Sequence, residues 1–252
     1  MKVVTYLINL DGSDQRLASA TVQLQQANWE FTRFSAYDGR GKALSEFENY
    51  DDAAAQKILG RSLINSELGC YLSHYGCAEK FLETDADYLV VLEDDIQVLP
   101  NFKHNLDSLL NYLDQHKELD WYVVNIAAKK KKLAKDIVQI DQYQLWHAYY
   151  FPIRGVGLLW SRKGAEEFVK LGKQIHVPVD IFFQGWLSKN GKGLGVWQPF
   201  VKPAGLDSDI LGTVATQGIQ RKDLENRDSS HGLKKQKRMW RDRFYAFRHL
   251  FF

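Results

Sequence analysis

The alternation of apolar and polar stretches along the chain predicts an α/β protein assembled from strand–helix units. Val3 to Leu10 is a nearly unbroken apolar run, as expected of a strand covered on both faces. Asp11-Gly12-Ser13 interrupts it, and Leu17, Ala20, Leu24 and Ala27 then recur at helical spacing with Ser13 as N-cap. Trp29 to Tyr37 reads as a returning strand ending at Asp38-Gly39, and a strand–helix–strand opening implies parallel pairing. Residues 42–62 pattern as a polar, helical surface excursion. Ser66 to Glu83 predicts a helix with Leu68, Leu72 and Tyr75 toward the core, followed by a buried strand at Tyr88 to Leu92. Phe102, Leu106, Leu109, Leu110 and Leu113 mark the next helix. Strands follow at Trp121 to Ile126, through Val138, Ile140, Tyr143, Leu145 and His147, and at Gly155 to Trp160. Ser161 caps a further helix, Pro178-Val179-Asp180 opens another that ends near Asn190-Gly191, and Leu194 to Val201 is the last strand. Gly205 to Gly232 is polar and loop-like, and Leu233 to Phe252 returns to helical amphipathicity.

A chain of 252 residues with 45% hydrophobic content suits one α/β domain with an appendage. A net charge of +2 is too small to argue for nucleic acid, although Lys129 to Lys132 and Lys234 to Arg248 are locally basic. No stretch has the length of a transmembrane helix and the amino terminus runs straight into a strand, which favours the cytoplasm. Cys70 and Cys77, seven residues apart on one helix, are separated by roughly 10 Å and read as reduced thiols. Two cysteines also argue against a structural zinc site.

The chemistry concentrates where the Tyr88–Leu92 strand meets Glu93-Asp94-Asp95. Three adjacent carboxylates repel one another in a partly buried place unless a cation neutralises them. Strand alternation sends Glu93 and Asp95 to one side and Asp94 to the other. Their oxygens suit a hard cation, Mn2+ or Mg2+, and open α/β sheets bind ligands at the carboxyl ends of their strands. The alternative is a solvated acidic turn. Asn9, Asp11 and Arg16 lie at the corresponding end of the first strand, a natural place for a nucleotide, although GxGxxG and P-loop fingerprints are absent.

Several segments together resemble the bacterial lipooligosaccharide-biosynthesis enzymes of glycosyltransferase family 25. They are Tyr6 to Asp11 with Arg16, Ala36-Tyr37-Asp38-Gly39, Glu67 to His74 (ELGCYLSH) and Val91 to Asp95. Gly157 to Ala165, Pro178-Val179-Asp180 and Ser208-Asp209-Ile210 continue the resemblance in the same order. It implies a GT-A-like fold with a mostly parallel, Rossmann-like central sheet flanked by helices over residues 1–211. A polar loop at 212–232 and a basic helix at 233–252 follow. It also implies a UDP-sugar donor, a lipooligosaccharide acceptor and inversion at the anomeric carbon. On that basis Glu93-Asp94-Asp95 matches a DxD-type motif, with Glu93 and Asp95 as metal ligands and Asp95 the firmer one. Asn9, Asp11, Arg16, Asp38 and Gly39, together with Glu93, Asp94 and Asp95, would contact the donor.

Direct displacement needs a carboxylate or imidazole to take the acceptor proton. Asp180 is assigned that role, with Asp209 the second candidate; His74 is read as a partner of the acidic site. A metal-dependent phosphohydrolase or nucleotidyltransferase, and an inactive glycan- or membrane-binding module, are the competing readings. As a helix, Leu233 to Phe252 aligns Leu233, Trp240, Phe244, Phe247 and Phe251 beside a basic flank, which predicts contact with an anionic membrane surface. The expected location is the cytoplasmic side of a Gram-negative inner membrane, peripherally bound. The alternative is that the aromatic stripe packs on the domain.

Overall fold

In the computed structural model, which describes residues 1–205 and 227–252, the apolar runs of the sequence form one mixed sheet. Its strands are β1 (Val3–Asn9), β2 (Thr32–Ser35), β3 (Tyr88–Glu93), β5 (Val123–Asn125), β6 (Ala134–Ile140), β7 (Tyr143–Ala148), β8 (Gly157–Ser161) and β9 (Gly193–Trp197). They lie in the order β2-β1-β3-β8-β5-β9-β7-β6. All run in one direction except β8 and β7, which reverse. The sheet is therefore mostly parallel in direction, as expected. A separate antiparallel pair joins β4 (Ile96–Val98) to β10 (Val201–Pro203).

Why β3 is apolar throughout follows from what covers it. Leu89 and Val91 face one core, which contains α3 (Asn65–Leu82), α5 (Arg162–Leu171) and α6 (Val179–Asn190). Tyr88, Val90 and Leu92 face a second core with α1 (Asp14–Gln26) and α4 (Phe102–Gln115). A strand buried on both faces loses the polar alternation that water on one side would impose. The helix α2 (Asp52–Leu59) and the carboxy-terminal α7 (His231–Phe251) complete the chain, with α7 packed against α6 and α2.

Several local expectations are corrected. The acidic triplet is not strand throughout: β3 stops at Glu93, and Asp94-Asp95 form a turn, so strand alternation does not govern where they point. The second strand is only Thr32–Ser35, because the Trp29 backbone N–H turns back to the Leu24 carbonyl at 2.9 Å, while its indole N–H bonds Thr5 Oγ1. Ser13 occupies the N-cap of α1 without a side-chain cap bond; its carbonyl accepts from Asn9 Nδ2. Residues 42–62 hold a short 3-10 turn and α2 rather than one helix, and the last predicted strand divides into β9 and β10. By contrast Ser161 caps α5 as read, accepting from the Gly164 N–H, and Gly191 ends α6 in the left-handed conformation. Cys70 and Cys77 are free thiols on α3. The 211/212 boundary, most of the polar loop and Asp209 lie outside the described residues.

Candidate active site

The parallel register fixes the first part of the site. Ile8 pairs with Glu93, so Asn9 and the acidic turn emerge side by side at the same edge of the sheet. Asn9, 1% exposed, donates Nδ2 to Asp94 Oδ2 at 2.7 Å. Its Oδ1 accepts from Arg33 Nε at 2.8 Å, and Arg33 also pairs with Asp11. Arg33 and Ser35 hold the Asp11 carboxyl below the usual range, as Arg40 does for Asp38. Arg16 from α1 pairs with Asp94 and lies 3.9 Å from Asp95. Sequence reasoning brought Asn9, Asp11, Arg16 and Asp94 together correctly but missed Arg33, whose partners appear only once β2 lies beside β1.

A narrow cleft of about 130 Å³ runs over this edge, with Ile8, Leu10 and Ala36 along it and Asp38, Gly39 and Arg40 at its side. Its far wall is α3. Gly69 explains how the helix comes so close: a Cβ there would sit 2.6 Å from the Tyr37 carbonyl oxygen. Ser73 secures the contact, accepting the Tyr37 N–H at 2.8 Å and donating to the Gly69 carbonyl at 2.7 Å. Two residues before Gly69, Glu67 is fastened to Arg61 by two hydrogen bonds of 2.7 Å, both side chains buried. The ELGCYLSH segment is thus one wall of the cleft, built around small residues.

His74, fully buried on α3, places Nε2 at 3.1 Å from Glu93 Oε1. Its Nδ1 is buried without a partner among the described residues, so the ring proton resides on Nε2 and is donated to the carboxylate. Asp95 behaves differently. Burial, and after it the charge of Glu93, push its carboxyl up to about 6, and its Oδ1 is buried without a hydrogen bond among the described residues. Two crowded carboxylates with an unpartnered oxygen fit a divalent cation, which would relieve both the repulsion and the missing bond. Cys70 Sγ, His74 and Glu93 also offer ligand atoms within 4.8 Å of one another, but burial, followed by the charge of Glu93, holds the Cys70 thiol protonated, a poor ligand state.

Asp180 reaches the same place from the start of α6. A Cβ on Gly155 would lie 2.7 Å from Asp180 Oδ1, 3.7 Å from Glu93 Oε1 and 3.8 Å from His74 Cε1, so these side chains converge on one backbone position. That backbone is pinned from both sides. Asn125, at the end of β5, donates to the Arg154 carbonyl at 2.7 Å. From α6, Gln184 donates to the Phe151 carbonyl and Ser188 accepts the Phe151 N–H. Neither Asn125 nor Gly155 carries a sequence signal of its own. Beyond Asp180 the site opens into a groove of about 870 Å³ that shares Glu93 with the narrow cleft.

Comparison with known proteins gives the following. The family described as Glycosyltransferase family 25 (LPS biosynthesis protein) matches residues 2–183. Procollagen galactosyltransferase 2 of Homo sapiens is 25% identical over 201 residues, covering 73% of this chain and 30% of that protein. Procollagen galactosyltransferase 1-B of Xenopus laevis is 31% identical over 135 residues, covering 49% and 20%. The chain therefore spans less than a third of the length of these two relatives. Among solved structures, the glycosyltransferase GlyE of Streptococcus pneumoniae TIGR4 is similar with a TM-score of 0.45 at 9% identity, covering 97% of this chain and 62% of that one.

Proposed function

The chain belongs to glycosyltransferase family 25, and we propose that it transfers galactose or glucose from a UDP-sugar to a lipooligosaccharide or lipopolysaccharide acceptor, with inversion at the anomeric carbon. One observation carries the reading: a narrow cleft and a wide groove meet at Glu93, with Asp180 on the groove side. A reaction between two bound molecules needs two compartments with one shared wall. The donor nucleotide takes the narrow cleft, beside Asn9, Asp11, Arg16, Asp38 and Gly39, and the acceptor takes the groove. The relatives' names favour galactose, and the family description favours a lipopolysaccharide acceptor.

In this arrangement the acceptor hydroxyl gives its proton to the Asp180 carboxylate as its oxygen bonds to the anomeric carbon. The bond from that carbon to the diphosphate oxygen breaks, and UDP leaves with the electron pair. A positioned base of this kind is worth about 10² to 10⁴ in rate. Glu93 and Asp95 would hold Mn2+ or Mg2+, which supplies neutralising charge for the departing diphosphate. His74 orients Glu93 through its Nε2 proton. Asp209 stands as the second candidate for the base.

The reading is tested by incubating the protein with UDP-galactose, UDP-glucose and truncated lipooligosaccharides in Mn2+, then determining product mass, linkage and anomeric configuration. An inverted glycoside is the expected product. Release of nucleoside monophosphate or phosphate without transfer overturns it in favour of phosphoryl chemistry; absence of any turnover or UDP binding overturns it in favour of a binding module.

The finer reading of location follows from α7. Its inner face buries Asp242 and Ala246, whereas Trp240, Phe244, Phe247 and Phe251 are between 47% and 68% exposed on the outer face. The helix thus packs on the domain, but not through its aromatic stripe. Among the described residues no helix is long and apolar enough to cross a membrane. An exposed aromatic face with flanking Lys237, Arg241 and Arg248 supports peripheral binding to an anionic leaflet, here proposed as the cytoplasmic face of a Gram-negative inner membrane.

A further inference from the structure

The wide groove is far more basic than a neutral sugar requires. Lys129, Lys130 and Lys132 reach it from the end of β5, Arg154 from the loop before β8, and Lys235 and Arg238 from the inner flank of α7. Among the described residues its acidic lining is confined to Glu93 and Asp180 at the catalytic end. Of the lysines in the run, Lys131 alone has an ion pair among the described residues, with Asp136, and Lys131 does not line the groove. Within the described residues the side chains of Lys129, Lys130, Lys132, Arg154 and Lys235 make no ion pair, and Arg238 feels the charge of Asp242 on its own helix. Three separate segments of the chain, far apart in sequence, thus deliver cations to one concavity. A solvated surface run would not need the convergence of Arg154 and of α7.

Like charges gathered around a recess raise its potential and concentrate anions there. We propose that the groove recognises an acceptor bearing a phosphate or carboxylate group close to the sugar that is glycosylated, so that the anion lies among these cations while the reacting hydroxyl reaches Asp180. This rests on the transferase reading of the same site and names the class of its acceptor. The alternative use of the cations, gripping the donor diphosphate, and a third, binding anionic lipid headgroups, are separated by the test.

The test has a binding arm and a turnover arm. Binding of glucose 6-phosphate and of glucose is followed by amide chemical shifts in wild type and in Lys129→Gln/Lys130→Gln/Lys132→Gln and Lys235→Gln/Arg238→Gln. The phosphorylated sugar should bind wild type at least about tenfold better than the neutral one, with shifts in residues lining the groove, and each multiple variant should abolish the difference. Turnover with matched phosphorylated and unphosphorylated lipooligosaccharide acceptors should show the same preference as a ratio of KM, falling with added salt. Equal binding of both sugars overturns the proposal. So does a rise in donor KM in the variants that equals the rise in acceptor KM, or loss of binding to vesicles of anionic phospholipid with sugar-phosphate binding unchanged. If no sugar is transferred from any donor while glucose 6-phosphate still binds the groove and the variants lose it, the transferase reading fails and the anion site stands.

Discussion

Gly155 offers a direct way to disturb Asp180 without touching it. In Gly155→Ala the new Cβ falls 2.7 Å from Asp180 Oδ1, whereas ordinary contact starts at 3.4 Å, so the carboxylate must withdraw by roughly 0.7 Å. The neighbouring Glu93 Oε1 and His74 Cε1, at 3.7 and 3.8 Å, are already at ordinary contact distance and need not move. For folding the change is small, because Asp180 can turn its carboxylate aside about its own side-chain bonds. An alanine in place of glycine even restricts the unfolded chain, a gain of about 0.4–1 kcal/mol where the backbone tolerates it. For catalysis the change is large, since a displacement of about 1 Å from the reacting geometry costs on the order of a hundredfold. The expected outcome is a kcat lower by about ten- to a hundredfold, a UDP dissociation constant within about twofold of wild type, and a melting temperature within a few degrees. Steady-state transfer, calorimetric titration with UDP and a thermal melt measure the three. A variant with wild-type kcat would refute the assignment of Asp180 as a positioned base.

In EDTA, Asp95→Asn should be more stable than wild type at neutral pH. The Asp95 carboxyl titrates near 6 when folded against 3.8 when free, so the folded state holds the extra proton between those values and loses stability as pH rises through them. The difference should reach roughly 2–3 kcal/mol above pH 6 by urea denaturation and vanish below pH 3.8; equal stability at all pH values would contradict the crowding of Glu93 and Asp95. His74→Ala removes the proton donated to Glu93 and should weaken Mn2+ binding about 10–100-fold by titration, with transfer falling in parallel; unchanged affinity would mean that Glu93 is not held for a cation. Replacing Trp240, Phe244 and Phe247 together by Ser should abolish binding to anionic liposomes with an unchanged melt, because these side chains project away from the domain. Retained liposome binding would move the contact elsewhere.

What the sequence made legible follows physical range. β1, β3, α4 and α6 were readable because their burial imposes a continuous or helical apolar pattern within a few residues. The grouping of Asn9, Arg16 and Asp94 was readable because parallel strands deliver their carboxyl ends to one edge. The insertion of β8 between β3 and β5 was not, since sheet order is a long-range choice that no window contains. The turn at Asp94-Asp95 and the shortness of β2 depend on partners such as Arg16 and the Leu24 carbonyl, which the local pattern does not reveal. Gly155 and Asn125 stayed invisible for the same reason: each matters through what a distant segment places beside it.

The reversed polarity of β8 has a further consequence for how this active site can change. Leu92 pairs with Gly157, so the departing end of β3 and the arriving end of β8 share one edge. Had β8 run parallel to β3, its exit rather than its approach would stand there, and the segment before it would be spent at the opposite edge. As built, residues 149–156 form a panel between the sheet and the groove, held by backbone hydrogen bonds at Tyr150, Phe151, Arg154 and Val156 and by the buried Phe151 and Val156 side chains, with Ile153 and Arg154 left facing the groove. Backbone anchors are indifferent to side-chain identity. The panel can therefore exchange side chains at Ile153 or Arg154, re-tailoring the substrate chamber, while the hydrogen-bond ladder beneath it is inherited unchanged.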